Sequence, residues 1–137
     1  MHKKQPTVAI IIPAYNEEET IVRCLESCIK QTSRADEIIV VNNNSTDATE
    51  KLVKKFQRDH PDQNVRLLNE PVQGIIAARN HGLDKAKSDI LGRIDSDSTI
   101  AEGWVEAVRT LFSNESVAAA SPRPATLRYR PPSRGGK

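Results

Sequence analysis

With 137 residues, of which 37% are hydrophobic and 28% charged, the chain has the size and composition of a single globular domain. No apolar run approaches the ~20 residues of a transmembrane helix, so we expect no transmembrane segment. The apolar run before Pro13 is also too short for the hydrophobic region of a signal peptide, so we expect a cytoplasmic protein.

The net charge of +2 is unevenly distributed along the chain. Residues 121–137 contain five basic side chains and no acidic ones, whereas residues 1–120 have a net charge of −3. A slightly acidic body with a basic, proline-rich end lacks the surface typical of nucleic-acid binding, so we expect no nucleic-acid partner. We interpret 121–137 as an irregular, solvated tail, with peripheral contact to anionic lipid as the alternative.

The first predicted element is a strand at residues 8–12. This run is continuous, rich in β-branched residues and ended by Pro13, which is typical of a strand buried on both faces of a parallel sheet. Asn16 and Glu19 then form a capping-box pattern, which predicts that a helix begins there.

The same plan of strand and helix repeats along the rest of the chain. After the second strand, Asp47 and Glu50 form another capping pair. The further elements are strands at 38–41, 65–68 and 90–94, helices at 48–56, 75–87 and 104–112, and a fifth strand at 117–120. This alternation indicates βαβ units, so the predicted fold class is α/β with a mostly parallel, doubly wound sheet.

Polar segments follow three of the predicted strands, at residues 13–16, 42–47 and 95–98. In such sheets, ligands bind at the carboxyl ends of the strands, near the point where the strand order reverses. We therefore expect the three segments to converge on one site. Neither a dinucleotide motif nor a P-loop is present, because both need glycines and the first strand is followed by none until Gly74.

Asp95 and Asp97 offer another way to hold phosphate groups. In an extended segment, residues two apart project to the same side, so both carboxylates could bind a hard cation such as Mg²⁺ or Mn²⁺. The cation would leave positions for diphosphate oxygens and act as a Lewis acid on the leaving group. For a D-x-D pattern taken alone, the alternative is a solvated turn.

Four stretches give this pattern its context. They are residues 8–19, 37–47, 78–86 and 94–97, which read VAIIIPAYNEEE, EIIVVNNNSTD, ARNHGLDKA and IDSD. Their order and spacing over residues 7–120 resemble those of the family 2 glycosyltransferases, which have the GT-A fold. The resemblance implies a nucleotide-diphosphate-sugar donor, a divalent metal (Mg²⁺ or Mn²⁺) and transfer to an acceptor hydroxyl with inversion at the anomeric carbon.

The resemblance also implies which side chains form the donor site. Those expected to bind the nucleotide sugar are Pro13, Ala14, Tyr15, Glu17, Asn43, Arg79 and Asp95, and those expected to bind the metal are Asp97 and Asp95. Asn43 stands where the family often has an aspartate that hydrogen-bonds the base. Simpler roles stay open for three of these residues: packing for Tyr15, a helix-dipole contact for Glu17 and a surface ion pair for Arg79.

The chain departs from the family pattern in two places. Family members commonly carry aspartate in the turn that reads Asn42, Asn43 and Asn44 here. An asparagine amide can still hydrogen-bond a nucleobase, so the sequence does not distinguish UDP, dTDP and GDP as the donor nucleotide. Family members also usually continue well beyond the D-x-D pattern, into the part that binds the acceptor and supplies the general base. No candidate base follows Glu115, so no catalytic residue is assigned.

The sequence thus predicts a GT-A nucleotide-sugar-binding half-domain at 7–120, lacking the C-terminal part of the fold, and a basic, irregular tail at 121–137. The predicted function is donor and metal binding in an inverting, metal-dependent glycosyltransferase whose acceptor is a glycan, a lipid or another hydroxyl. A truncated, non-catalytic nucleotide-binding remnant is one alternative. Another is a receiver-like signalling domain phosphorylated at Asp95 or Asp97, which the position of the D-x-D pattern disfavours.

Overall fold

The computed structural model describes residues 5–113 and 126–129. Strands and helices alternate along this part of the chain, as the hydrophobic pattern predicts. The elements are β1 (Val8–Ala14), α1 (Ile21–Ile29), β2 (Glu37–Asn42), α2 (Thr49–Asp59), β3 (Val65–Asn69), α3 (Ile75–Lys85), β4 (Ile90–Arg93), α4 (Trp104–Ser113) and β5 (Thr126–Tyr129). Within the described residues, no helix is both long enough and apolar enough to cross a membrane.

The strands of the described residues form one sheet in the order β3-β2-β1-β4-β5. β1 pairs in parallel with β2 and β4, β2 pairs in parallel with β3, and β5 is antiparallel to β4. The prediction of an α/β fold with a mostly parallel sheet is therefore confirmed. The chain moves outward from β1 to β3 and then returns to the other side of β1, so the strand order reverses between β1 and β4.

The core is centred on β1, whose seven residues are all buried. Its alternate side chains contribute to two apolar layers on opposite faces of the sheet. Ile10 and Ile12 pack with side chains of α1, α2 and α4, whereas Ile11 packs with Ala78 of α3. Because β1 is covered on both faces, its sequence is an unbroken apolar run rather than an alternation.

Gly82 lets α3 lie close against the sheet. A Cβ atom at this position would lie 2.6 Å from Ile11 Cγ2 and 3.1 Å from Val41 Cγ2, which is closer than packed atoms normally approach. The helix backbone therefore contacts β1 and β2 directly. The residues at the start of α3 consequently lie beside the carboxyl ends of those strands.

β1 continues through Pro13 to Ala14, beyond the predicted end of the strand. Proline has no N–H group and is normally excluded from central strands. The carbonyl oxygen of Ile11 faces β4, so the nitrogen of Pro13, two residues later, faces the same side. The pairing of β1 with β4, however, already ends at Ile11 and Arg93. No hydrogen bond of the sheet is lost, so the strand tolerates the proline.

The predicted capping box at Asn16 and Glu19 is wrong. α1 begins only at Ile21 and has no side-chain capping hydrogen bond. Asn16 has a φ of 52°, in the left-handed region that asparagine adopts more readily than most residues. Its Oδ1 accepts hydrogen bonds from the backbone N–H groups of Thr46 and Asp47, so Asn16 joins the loops after β1 and β2 instead of starting a helix.

β5 lies within the segment that we expected to be irregular. The expectation for 121–137 is therefore corrected at Thr126–Tyr129, which pairs with β4 and covers its outer edge. Leu127 packs over Gly92, which has no side chain to fill that space. The strand predicted at 117–120 lies outside the described residues, and the division into domain and tail stays a prediction.

Candidate functional site

An open cavity of about 450 Å³ lies at the carboxyl ends of β1, β2 and β4. This volume is within the range of small-molecule binding sites. The lining residues in the described part of the chain are Pro13, Ala14, Tyr15, Glu17, Asn43, Gln73, Gly74, Ile75, Ala78, Asp95, Ser96 and Asp97. The polar segments that follow β1, β2 and β4 in the sequence thus converge on one place, where the strand order reverses.

The cavity brings together most of the side chains predicted to bind the donor and the metal. They are Pro13, Ala14, Tyr15, Glu17, Asn43, Asp95 and Asp97. Arg79 is not among the lining residues: it lies on α3, with its Nη2 3.4 Å from Oδ1 of the neighbouring Asn80. The functional roles of all these residues, including that of Arg79 toward the nucleotide, stay predictions.

The end of β1 forms one wall of the cavity. Pro13 and Ala14 are buried, whereas Tyr15 is 51% exposed. Tyr15 is thus a half-exposed residue at the cavity, and its role toward a nucleotide stays a prediction. Its ring offers a flat apolar surface and a hydroxyl to a ligand.

Glu17 connects loops on different sides of the cavity. Its backbone N–H donates to Thr49 Oγ1 at 2.8 Å, and its Oε2 accepts a hydrogen bond from Ser96 Oγ at 3.0 Å. Its carbonyl oxygen accepts from the N–H of Ile21 at the start of α1. Glu17 therefore does more than lie near a helix N-terminus. Its carboxylate connects the loop after β1 to residues 95–98, which we call the D-x-D turn.

Asp47 and Thr49 continue this network into α2. Asp47 Oδ1 accepts hydrogen bonds from the hydroxyl and the N–H of Thr49, and Oδ2 accepts from the N–H of Glu18. Partial desolvation raises the pKa of Asp47, but these hydrogen bonds outweigh it and lower the pKa below its ordinary value. The carboxylate therefore stays ionised and fixes the loop after β2.

Residues 95–98 form a turn rather than the extended segment that we expected. The N–H of Ser98 donates to the carbonyl oxygen of Asp95 at 3.0 Å. Ser96 in the turn is buried, whereas Asp95 and Asp97 on either side of it are exposed. Strand alternation therefore does not apply to this pair, but both aspartates line the same cavity.

The two aspartates have different surroundings. Asp95 Oδ1 lies 3.1 Å from Arg93 Nη1, which compensates part of its charge. Its carbonyl oxygen lies 3.7 Å from the thiol of Cys24 below the turn. Asp97 has no hydrogen-bond or ion-pair partner for its carboxylate among the residues that the structure describes. Asp97 is therefore the carboxylate more available to a cation.

This set of side chains fits a metal that binds together with a phosphate ligand. Mg²⁺ prefers oxygen ligands and usually takes one or two carboxylates along with substrate phosphates and waters. Asp97 and Asp95 supply two such carboxylates at the cavity. In residues 5–113 and 126–129, no group of three or more His, Cys, Asp or Glu side chains could hold a metal. Phosphate oxygens and waters are the ligands that would complete the coordination of such a cation.

Asn43 lines the cavity, but its side chain hydrogen-bonds the protein itself. The residue is 3% exposed, and its Nδ2 donates to the carbonyl oxygens of Glu70 and Val72 at 2.9 and 2.8 Å. An amide whose two N–H groups are both engaged has no free donor for a base. The predicted hydrogen bond from Asn43 to the base is therefore not supported by this geometry.

Some lining residues are absent from the predicted set: Gln73, Gly74, Ile75, Ala78 and Ser96. Gly74 has a φ of 131°, a conformation for which glycine is needed, and a glycine between a strand and a helix was the signal available in the sequence. His81 lies in the same region, with its Nδ1 3.2 Å from Glu70 Oε1, and does not line the cavity.

Comparison with known proteins identifies the family. Residues 9–130 match the family described as Glycosyl transferase family 2. Glycosyltransferase GlyA of Streptococcus pneumoniae is 36% identical over 74% of this chain, and glycosyltransferase AglE of Haloferax volcanii is 35% identical over 82% of it. The chain spans 14% of the length of GlyA and 37% of the length of AglE.

Solved structures identify the fold. The mannosyltransferase PcManGT from Pyrobaculum calidifontis, in complex with GDP-Man and Mn²⁺, matches with a TM-score of 0.66 and 32% identity, over 70% of this chain and 29% of its own. Residues 1–349 of TarS from S. aureus match with a TM-score of 0.71 and 26% identity, over 78% of this chain and 32% of that one. By both its sequence and its GT-A fold, the chain belongs to glycosyl transferase family 2.

Proposed function

We propose that this chain binds the nucleotide-diphosphate-sugar donor of an inverting, metal-dependent glycosyltransferase. The observation that carries the proposal is the cavity at the strand-order reversal. It is lined by Tyr15, by Glu17 and by Asp97, whose carboxylate has no partner in the part of the chain that the structure describes. Two related proteins support it, since PcManGT has been solved with GDP-Man and Mn²⁺, and TarS with UDP-GlcNAc.

Each wall of the cavity has a proposed role. Pro13, Ala14 and Tyr15 border the nucleoside. Asp97 and Asp95 would hold a divalent cation, Mg²⁺ or Mn²⁺, at the diphosphate. When bound, such a cation supplies Lewis-acid stabilisation of the negative charge on the leaving diphosphate.

Glu17 and Ser96 keep the D-x-D turn in place before the donor arrives. Because their hydrogen bond already exists in the free chain, the turn needs little reorganisation on binding. In the proposed reaction, an acceptor hydroxyl oxygen forms a bond to the anomeric carbon while the bond from that carbon to the diphosphate oxygen breaks. Attack and departure take place on opposite faces, so the configuration inverts. The acceptor proton goes to a base that we assign to no residue of this chain.

Calorimetric titration with UDP-, dTDP- and GDP-sugars, each with and without Mn²⁺, tests the donor site. We expect at least one donor to bind, with an affinity that rises at least ~10-fold when Mn²⁺ is present, because the cation neutralises diphosphate and carboxylate charges together. The donor that binds would also show which nucleobase the cavity accepts. Absence of binding by every donor, with and without Mn²⁺, would refute the proposal.

Catalysis is a separate proposal from donor binding, because the chain spans only 14% and 37% of the two curated relatives named above. The alternative is a nucleotide-binding module without turnover. A transfer assay with hydroxyl-bearing glycan and lipid acceptors separates the two. Sugar transfer or donor hydrolysis that is lost in Asp97→Asn supports the enzyme, whereas donor binding without either supports the module.

The proposed partners are the nucleotide sugar and a hydroxyl acceptor, and the proposed location is the cytoplasm. Nucleic acid is not a proposed partner, because residues 1–120 have a net charge of −3. For residues 121–137, the alternative to a solvated tail is peripheral membrane contact through their basic side chains. Sedimentation with anionic vesicles tests this alternative.

A further inference from the structure

Asn43 directly follows β2, lines the cavity and is almost fully buried. Its backbone N–H donates to the carbonyl oxygen of Ala14 at 2.9 Å, which continues the pairing of β1 with β2. The backbone of Asn43 is therefore fixed by the centre of the sheet. Its side chain extends from this fixed point toward residues 70–74, which follow β3 and which we call the 70–74 loop.

The amide of Asn43 makes contacts along the whole length of the 70–74 loop. Its Nδ2 donates to the carbonyl oxygens of Glu70 and Val72, and its Oδ1 accepts from the N–H of Gly74 at 2.8 Å. The Nε2 of Gln73 lies 3.3 Å from the same Oδ1. An amide has two N–H donors and an oxygen with two acceptor sites, so its hydrogen-bonding capacity is filled.

Asn42 and Asn44 also hold the 70–74 loop: the N–H of Glu70 donates to the carbonyl oxygen of Asn42 at 3.0 Å, and Asn44 Nδ2 donates to the carbonyl oxygen of Pro71 at 3.0 Å. The contacts to the carbonyl oxygen of Val72 and to the N–H of Gly74 come from Asn43. Val72 is 62% exposed, and Ile75, the first residue of α3, is 59% exposed, so apolar burial contributes little here. Gly74 adopts a φ of 131°, a conformation open to glycine, and its N–H donates to Asn43 Oδ1. The loop nevertheless lines the cavity through Gln73 and Gly74, so its position determines one wall of the site.

We infer that Asn43 is a positioning residue: it holds the 70–74 loop as a wall of the donor cavity and does not itself hydrogen-bond the base. The inference rests on the proposed function only in that the cavity takes a nucleotide. It also accounts for asparagine at a position where the family often has aspartate. An ionised aspartate has no N–H to donate, so it would face the carbonyl oxygens of Glu70 and Val72 and leave both without a partner.

The test compares Asn43→Asp with Asn69→Asp as its matched control. Asn69 ends β3 next to the loop, and its Oδ1 accepts a hydrogen bond from Asn42, a role that aspartate keeps. Both variants add one negative charge at the same edge of the sheet. Hydrogen exchange of residues 70–76 in the free chain measures the loop, and calorimetry with UDP, CDP and GDP in Mn²⁺ measures the cavity.

We expect Asn43→Asp to raise the exchange rate at residues 70–76 about 10-fold or more, since a buried partner is lost, while Asn69→Asp leaves it unchanged. Affinities for UDP, CDP and GDP should fall by a similar factor, with the preference among them unaltered. Unchanged exchange in Asn43→Asp would overturn the inference. A retained affinity with a changed preference between UDP and CDP would also overturn it, because that result identifies a side chain that contacts the base.

Two further outcomes are distinguishable. If the wild-type chain binds no nucleotide, the proposed function fails, while the exchange measurement still tests the positioning role. If Asn43→Asp does not fold, Gly74→Ala replaces it, because a side chain at a φ of 131° is strained and disturbs the same loop from the other end. Gly74→Ala should reproduce the local exchange and the uniform loss of affinity, and the absence of both would contradict the inference.

Discussion

Replacing Asp97 with asparagine keeps the size of the side chain and removes its charge. Asp97 is exposed and has no partner among the described residues, so the substitution breaks no interaction within the folded chain. We expect the free energy of unfolding to change by less than ~0.5 kcal/mol, as for an ordinary surface substitution. Any effect on donor binding can then be assigned to the lost charge.

The size of that effect follows from the exposure of the carboxylate. Two unit charges 4 Å apart interact by about 1 kcal/mol in water and about 4 kcal/mol near a protein surface, and a divalent cation doubles these values. Because Asp97 is exposed, the lower part of this range applies, at about 2–3 kcal/mol. Donor binding in Mn²⁺ should therefore weaken by about 30- to 150-fold.

Calorimetry with and without Mn²⁺ measures this loss, and Asp84→Asn is the matched control. Asp84 is an exposed aspartate of α3 that does not line the cavity, so the same chemical change there should leave binding unaltered. Equal affinities for the two variants would refute the assignment of Asp97 to the metal. A loss in Asp97→Asn that is as large without Mn²⁺ as with it would refute the electrostatic reasoning.

Three further outcomes are expected. Ser96→Ala removes the hydrogen bond to the Glu17 carboxylate and should weaken Mn²⁺-dependent donor binding by about 1 kcal/mol in the same titrations; no loss would mean that the turn does not need this contact. Gly82→Ala should lower the free energy of unfolding in urea by about 1–3 kcal/mol, because its Cβ would lie 2.6 Å from a core side chain. Gly103→Ala should leave the free energy of unfolding unchanged, because a Cβ at Gly103 would have nothing within 4 Å. Equal losses of stability in the two variants would contradict the packing argument. The lowered pKa of Asp47 gives stability that is complete above its ordinary value of 3.8 and lost as the pH falls through the lowered value. As the pH decreases through that range, the urea midpoint of the wild type should fall more steeply than that of Asp47→Asn. Parallel plots of urea midpoint against pH for the two proteins would contradict this.

The order of the elements could be predicted because burial and periodicity are local signals. The apolar run of β1 indicated a strand covered on both faces, and the structure confirms it. The start of α1 could not be predicted, since the Oδ1 of Asn16 bonds to Thr46, which only the folded sheet brings near. β5 was missed for a similar reason: its four residues, TLRY, lie in a basic, proline-rich segment, and their pairing depends on a free edge of β4.

The place of the candidate site could be predicted from the topology, but the direction of its side chains could not. Ser96 lies between two aspartates in a polar segment, and yet it is buried against Glu17. Asn43 lies in a polar turn that suggested contact with a base, and yet its amide bonds the 70–74 loop. Whether a polar side chain faces a ligand or the protein is decided by neighbours remote in sequence, which a single sequence does not contain.

The hydrogen bond between Glu17 and Ser96 joins residues 79 positions apart, so the cavity exists only once β4 has taken its place beside β1. A ligand of the cavity can therefore bind the native state but not the unfolded chain. Binding at 100 times the dissociation constant then stabilises the native state by about 2.7 kcal/mol. Thermal melting in the presence of Mn²⁺ and single nucleotide sugars thus becomes a measure of occupancy, by which candidate donors can be ranked before any acceptor has been found.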